Sequence, residues 1–85
     1  GGYLPAINDV GGMYDTGYYV KQDHQKAFSK FLTAAQKGYW KSMKQVSEMY
    51  AQGLGVEKDE VKAREWYEKA NTAMIAESMN NALGK

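Results

Sequence analysis

Cysteine is absent from all 85 residues, which excludes a disulfide framework, a thiol nucleophile and a thiolate metal site. That absence leaves the cellular compartment open. The single histidine, His24, cannot build an H-E-x-x-H zinc site. Its neighbours Gln25 and Lys26 offer no metal-ligand set, so a solvent-facing helix start is the plainer expectation. Arg64 is the only arginine and the net charge is +1, whereas nucleic-acid surfaces usually carry a larger basic excess, often with arginine. No apolar run approaches the roughly 18 residues that would suggest a membrane span. No signal-peptide pattern is present either.

What the chain does have is aromatic area, with seven Tyr, two Trp and two Phe. A domain this short buries only about two-thirds of its unfolded surface, so those rings must pack efficiently. Charge is uneven: Lys21, Lys26, Lys30, Lys37, Lys41 and Lys44 face the single acid Asp23 within residues 21–44. This segment reads as a solvated helix face rather than a binding patch.

The strongest pattern is self-similarity. GMYDTGYYVKQDHQKA at 12–27 returns 36 residues later as EMYAQGLGVEKDEVKA at 48–63. The pairs Val10/Val46, Met13/Met49, Tyr14/Tyr50, Gly17/Gly53, Val20/Val56, Asp23/Asp59, Lys26/Lys62, Ala27/Ala63 and Ala34/Ala70 hold the register. A period of this length is the mark of a solenoid. The shared positions are mostly apolar, small or turn residues, and the variable ones mostly polar.

Each repeat reads as a helix pair. Ala6, Val10, Met13 and Tyr14 form one amphipathic stripe, and Tyr39, Met43, Val46 and Tyr50 another. Gly17 and Gly53 suit left-handed helix closure. Asp23 and Asp59 are placed to cap the second helices, whose stripes are Ala27, Phe31, Ala34, Ala35 and Ala63, Trp66, Tyr67, Ala70. Gly38 closes the first of these. Beyond Ala70, the residues Met74, Ile75, Ser78, Met79 and Ala82 align with Tyr39 to Val46, suggesting the first helix of a third unit that covers the open end. The expectation is an all-α, α/α superhelix with five helices at 4–16, 23–37, 39–52, 59–72 and 74–83. Residues 1–85 form a single repeat domain: repeat one 3–38, repeat two 39–73 and a capping helix 74–83. Gly2-Tyr3 matches Gly38-Tyr39, which suggests a start at a unit boundary within a longer repeat protein.

These residues resemble the Sel-one-like repeat, a relative of the tetratricopeptide repeat. The resemblance rests on Ala6, Val10, Gly11, Met13, Tyr14, Gly17, Val20, Asp23, Lys26, Ala27, Phe31, Ala34 and Ala35 in unit one. In unit two it rests on Ser42, Val46, Ser47, Met49, Tyr50, Gly53, Gly55, Val56, Asp59, Lys62, Ala63, Trp66, Tyr67 and Ala70. Tyr19 departs from the pattern where a second glycine is usual, and Lys30 where tryptophan is usual. Ser47 and Asn71 stand for small family residues. The matched positions have structural roles, so function is expected where the repeats differ.

No enzyme signature emerges. Ser29, Ser42, Ser47 and Ser78 lack an elbow or triad spacing. Glu57, Asp59 and Glu60 stand at a helix start, where they compensate its dipole. Gly53-Leu54-Gly55 continues into neither phosphate-loop pattern, and no cofactor is implied. Tyr18 and Tyr19 are loop tyrosines suited to local packing or to protein contact.

The resemblance implies a protein-interaction module, an adaptor or scaffold, with first helices lining a concave surface. Its expected lining is Asn8, Gly12, Asp15 and Thr16, then Lys41, Lys44, Glu48 and Gln52, then Glu77 and Asn80 on the terminal helix. A peptide or partner protein would lie there, with Lys41 and Lys44 meeting a carboxylate. Neither nucleic acid nor direct membrane insertion is expected. The resemblance implies adaptor, signalling or envelope roles, often bacterial, which favours bacterial cytoplasm or periplasm, and an endoplasmic-reticulum quality-control role in eukaryotes. Two alternatives stand beside this: a structural segment of a longer array, and a β-lactam-binding or hydrolysing relative. The latter is disfavoured by the missing cysteines and the missing serine-lysine signature.

Overall fold

The computed structural model describes the backbone of residues 4–83 and the side chains of residues 6–80. Four helices follow one another: α1 (Leu4–Thr16), α2 (His24–Gln36), α3 (Trp40–Gln52) and α4 (Glu60–Leu83). No strand occurs among the described residues. Each helix packs on the next, α1 with α2, α2 with α3 and α3 with α4.

The repeat is visible bond by bond. Gly17 N–H donates to Met13 O at 2.8 Å, and Gly53 N–H to Met49 O at 2.8 Å. The loop then returns, Asp23 N–H donating to Tyr14 O at 2.8 Å and Asp59 N–H to Tyr50 O at 2.9 Å. The Asp23 carboxylate accepts from Lys26 N–H at 3.1 Å, and that of Asp59 from Lys62 N–H at 3.0 Å. These are the expected caps, satisfying amides that the first helical turn leaves open. Even the lysine-over-tyrosine contacts recur, Lys26 over Tyr14 at 5.4 Å and Lys62 over Tyr50 at 5.6 Å.

The core runs between the repeats. Ala27, Phe31 and Ala35 of α2 pack with Met43, Val46 and Met49 of α3 and Ala70 of α4. Phe28 adds an edge-on contact with Tyr50, ring centroids 5.3 Å apart. Small residues set the closest approaches. A Cβ on Gly11 would stand 2.9 Å from the Phe31 ring. At the equivalent place in repeat two, Ser47 Oγ donates to Ala63 O at 2.7 Å.

Three expectations are corrected. The described residues form four helices rather than five, because 74–83 continues α4 instead of starting a separate capping helix. The cause lies at the turn. α2 ends at Gln36 and the chain turns at Gly38, with φ 99°, a region that glycine enters without a Cβ clash. Thirty-six residues on, the residue is Met74, which stays helical. The third-unit alignment therefore gives no separate first helix, and Met74, Ile75, Ser78 and Met79 are exposed on one continuous helix. Tyr67 is the second correction: placed on the core stripe by spacing, it is 52% exposed, against 2% for its counterpart Phe31. α3 covers Phe31, and no helix covers Tyr67 among the described residues. His24 is the third. Rather than facing solvent alone, it is half-buried with Nδ1 3.1 Å from the Asp15 carboxylate. The Gly2-Tyr3 match and the Ala82 side chain lie outside the described residues.

Candidate interaction surface

α3 turns one face inward and one outward. Ser42, Met43, Val46, Ser47 and Met49 are buried. Lys41, Lys44, Glu48 and Gln52 are all exposed, at spacings of three and four that place them on one stripe. Lys41 Nζ sits 5.7 Å from the Trp40 ring centroid. Salt bridges engage none of these four among the described residues, where the only such pair is His24 with Asp15.

α1 contributes less than its sequence suggested. Asn8 is half-buried and accepts from the buried Ser42 hydroxyl at 2.8 Å, tying the two first helices together. Asp15 holds His24, and its backbone carbonyl accepts from Gln22 Nε2 at 2.7 Å. Both residues are therefore bracing groups of the scaffold. Gly12 leaves open space, with nothing within 4 Å of a built Cβ. Thr16 is exposed and spends its hydroxyl locally, donating to Gly12 O at 2.9 Å. Gly12 and Thr16 share a shallow cleft with Asp9, Met13, Gly17 and Tyr18.

Glu77 and Asn80 are exposed, but on the extension of α4 rather than on a third first helix. They are thus not aligned with the α1 and α3 lining. Asn80 follows Ala76 and Ala73 at helical spacing, and those alanines belong to a different cleft. This one, of about 690 Å³, is lined by Met43, Glu65, Glu68, Lys69, Thr72, Ala73 and Ala76. It contains none of the ten expected residues. Its floor is apolar and its rim charged, with Lys69 lying 4.5 Å over the neighbouring Trp66 ring. The alternation of Glu65, Lys69 and small alanines along α4 was its only trace in the sequence.

The loop tyrosines behave differently from their counterparts. Tyr18 and Tyr19 are exposed, with ring centroids 4.1 Å apart. Leu54, the counterpart of Tyr18, packs against the core. The adjoining Tyr18 side chain raises the Tyr19 phenol above its ordinary value. Tyr19 also takes φ 72°, the same value as Gly55 in repeat two, so the loop keeps its shape despite the substitution.

This geometry agrees with the match to known families. The Sel1 repeat model matches twice, at residues 4–39 and 40–73. The chain belongs to the Sel1 repeat family. Among solved structures it is similar to a Sel1 repeat protein from Oxalobacter formigenes, 38% identical with TM-score 0.82, over 84% of this chain and 53% of that one. It is also similar to a protective antigen with an SLR fold present in uropathogenic Escherichia coli strains. That match is 31% identical with TM-score 0.81, over 82% of this chain and 15% of the other. The chain thus spans about half of the first neighbour and a small part of the second. No curated protein sequence matches it. Sel1 repeats are in general helical modules of protein interaction. No helix among the described residues is long and apolar enough to cross a membrane.

Proposed function

We propose that this Sel1 repeat segment is a protein-interaction module that holds a peptide along the face formed by α1 and α3. The observation that carries the reading is the outward stripe of α3, Lys41, Lys44, Glu48 and Gln52. It is exposed, free of internal ion pairing among the described residues, and fixed to a buried opposite face. Gly12 and Thr16 continue it on α1, while Asn8 and Asp15 brace the platform. Two lysines at i and i+3 point the same way, which suits a peptide carboxylate.

Selection from a random peptide library with free or amidated C-termini tests this. Free-carboxylate peptides are expected to be enriched. Lys41→Glu with Lys44→Glu is expected to weaken the selected peptides by roughly tenfold or more, the scale of one charged hydrogen bond. Equal binding by the double variant removes α3 as the site. A second reading, a purely structural segment of a longer array, draws on the chain spanning 53% and 15% of its two solved neighbours. Failure to select any peptide favours it.

A further inference from the structure

The seam between the repeats shows what a further repeat would need at either edge of the stack. At the seam, the loop of repeat two rests on the start of α2. A Cβ on Gly55 would overlap the His24 carbonyl and stand 2.9 Å from Gln25 N. The loop of repeat one has the same backbone shape but carries Tyr19 at that position, 81% exposed. A repeat laid on this leading edge as repeat one lies on repeat two would meet the Tyr19 side chain where its backbone has to pass.

The trailing edge differs in the same sense. Phe28, Phe31, Leu32 and Ala35 of α2 pack with Met43, Val46 and Tyr50 of α3. Their counterparts on α4, 36 residues on, are Arg64, Tyr67, Glu68 and Asn71. Three of those four are exposed and Asn71 is half-buried. Closing an apolar seam over an arginine, a glutamate and an amide would strip their water without supplying partners. Both edges nonetheless keep part of the seam's apolar surface: in front, Val10 and Met13 are half-exposed where Val46 and Met49 are buried, and behind, Tyr67, Met74 and Ile75 are exposed on α4. Two complementary apolar edges on one chain would join head to tail, into a ring or an open filament according to the rotation between copies.

We propose that this chain is a two-repeat stack shut at both edges against a second copy of itself, by Tyr19 in front and by Arg64, Glu68 and Asn71 behind. The inference is independent of the peptide-binding reading, and it stands against the longer-array reading, which needs at least one edge open to a further repeat. Its test is the mass in solution, by sedimentation, of the full 85-residue chain and three variants, each checked for helicity. Tyr19→Gly opens the front. Arg64→Phe with Glu68→Leu and Asn71→Ala opens the back. The third variant combines both. The wild type and each single-edge variant are expected to remain monomeric, and the combined variant to grow in mean mass with concentration. If the combined variant does not fold, an equimolar mixture of the two single-edge variants serves instead, and it is expected to form a dimer and stop there. A folded combined variant that stays monomeric, a mixture that gives no dimer, or association by the wild type overturns the proposal. So does a back-edge variant that associates alone as strongly as the combined one, since that would show unspecific stickiness.

Discussion

Repeat one and repeat two share a backbone and differ in what surrounds it. Phe31 and Tyr67 occupy one register position, yet the first is 2% exposed and the second 52%. Tyr19 and Gly55 share φ 72°, yet one side chain stands in solvent and the other position admits no Cβ. The lesson is that a repeat motif fixes the hairpin, while burial is decided by the neighbouring hairpin. Residues that match in sequence can therefore differ widely in energetic weight.

The comparison breaks most decisively at Gly55. Gly55→Ala is expected to destabilise the fold by about 3 kcal/mol or more, combining left-handed strain of ~1 kcal/mol with overpacking of ~2 kcal/mol against α2 backbone. Urea unfolding followed by circular dichroism measures it, and a loss below about 1 kcal/mol would dissolve the close approach at the seam. Comparable in size is the aromatic pair. Phe31→Ala should cost about 3–5 kcal/mol, while Tyr67→Ala should cost about 0.5 kcal/mol, as surface changes do. Equal losses would mean that α4 is covered as α2 is. Smallest, and opposite in sign, is Tyr19→Gly. Removing the left-handed strain should stabilise the chain by about 1 kcal/mol or less, read as a modest rise in Tm.

Helix existence and capping were legible in the sequence because their signals are local. Gly17, Gly53, Asp23 and Asp59 do in the structure what their chemistry dictates within a few residues. The turn after α2 at Gly38 was legible for the same reason. The extension of α4 was not legible, because the apolar spacing past Ala70 fits a new helix as well as a continued one, and only the missing glycine at Met74 separates the two. Pairings such as Ser42 with Asn8 and His24 with Asp15 join residues 34 and 9 positions apart. No periodicity announces them, since they depend on how two finished helices meet. For the interaction surface, the outward stripe of α3 followed from spacing alone. The bracing roles of Asn8 and Asp15 did not, and neither did the cleft beside Met43.

The contact of Gly11 with the Phe31 ring, set against the Ser47 hydroxyl on the Ala63 carbonyl, has a thermodynamic consequence. An aromatic face closed on bare backbone is held by solvent exclusion, which fades as water cools, and its opening carries a large positive heat-capacity change. A hydroxyl latched to a carbonyl has no such dependence on the apolar hydration shell. Of these two contacts, cooling is therefore expected to weaken the approach of Gly11 to Phe31 more than the bond of Ser47 to Ala63.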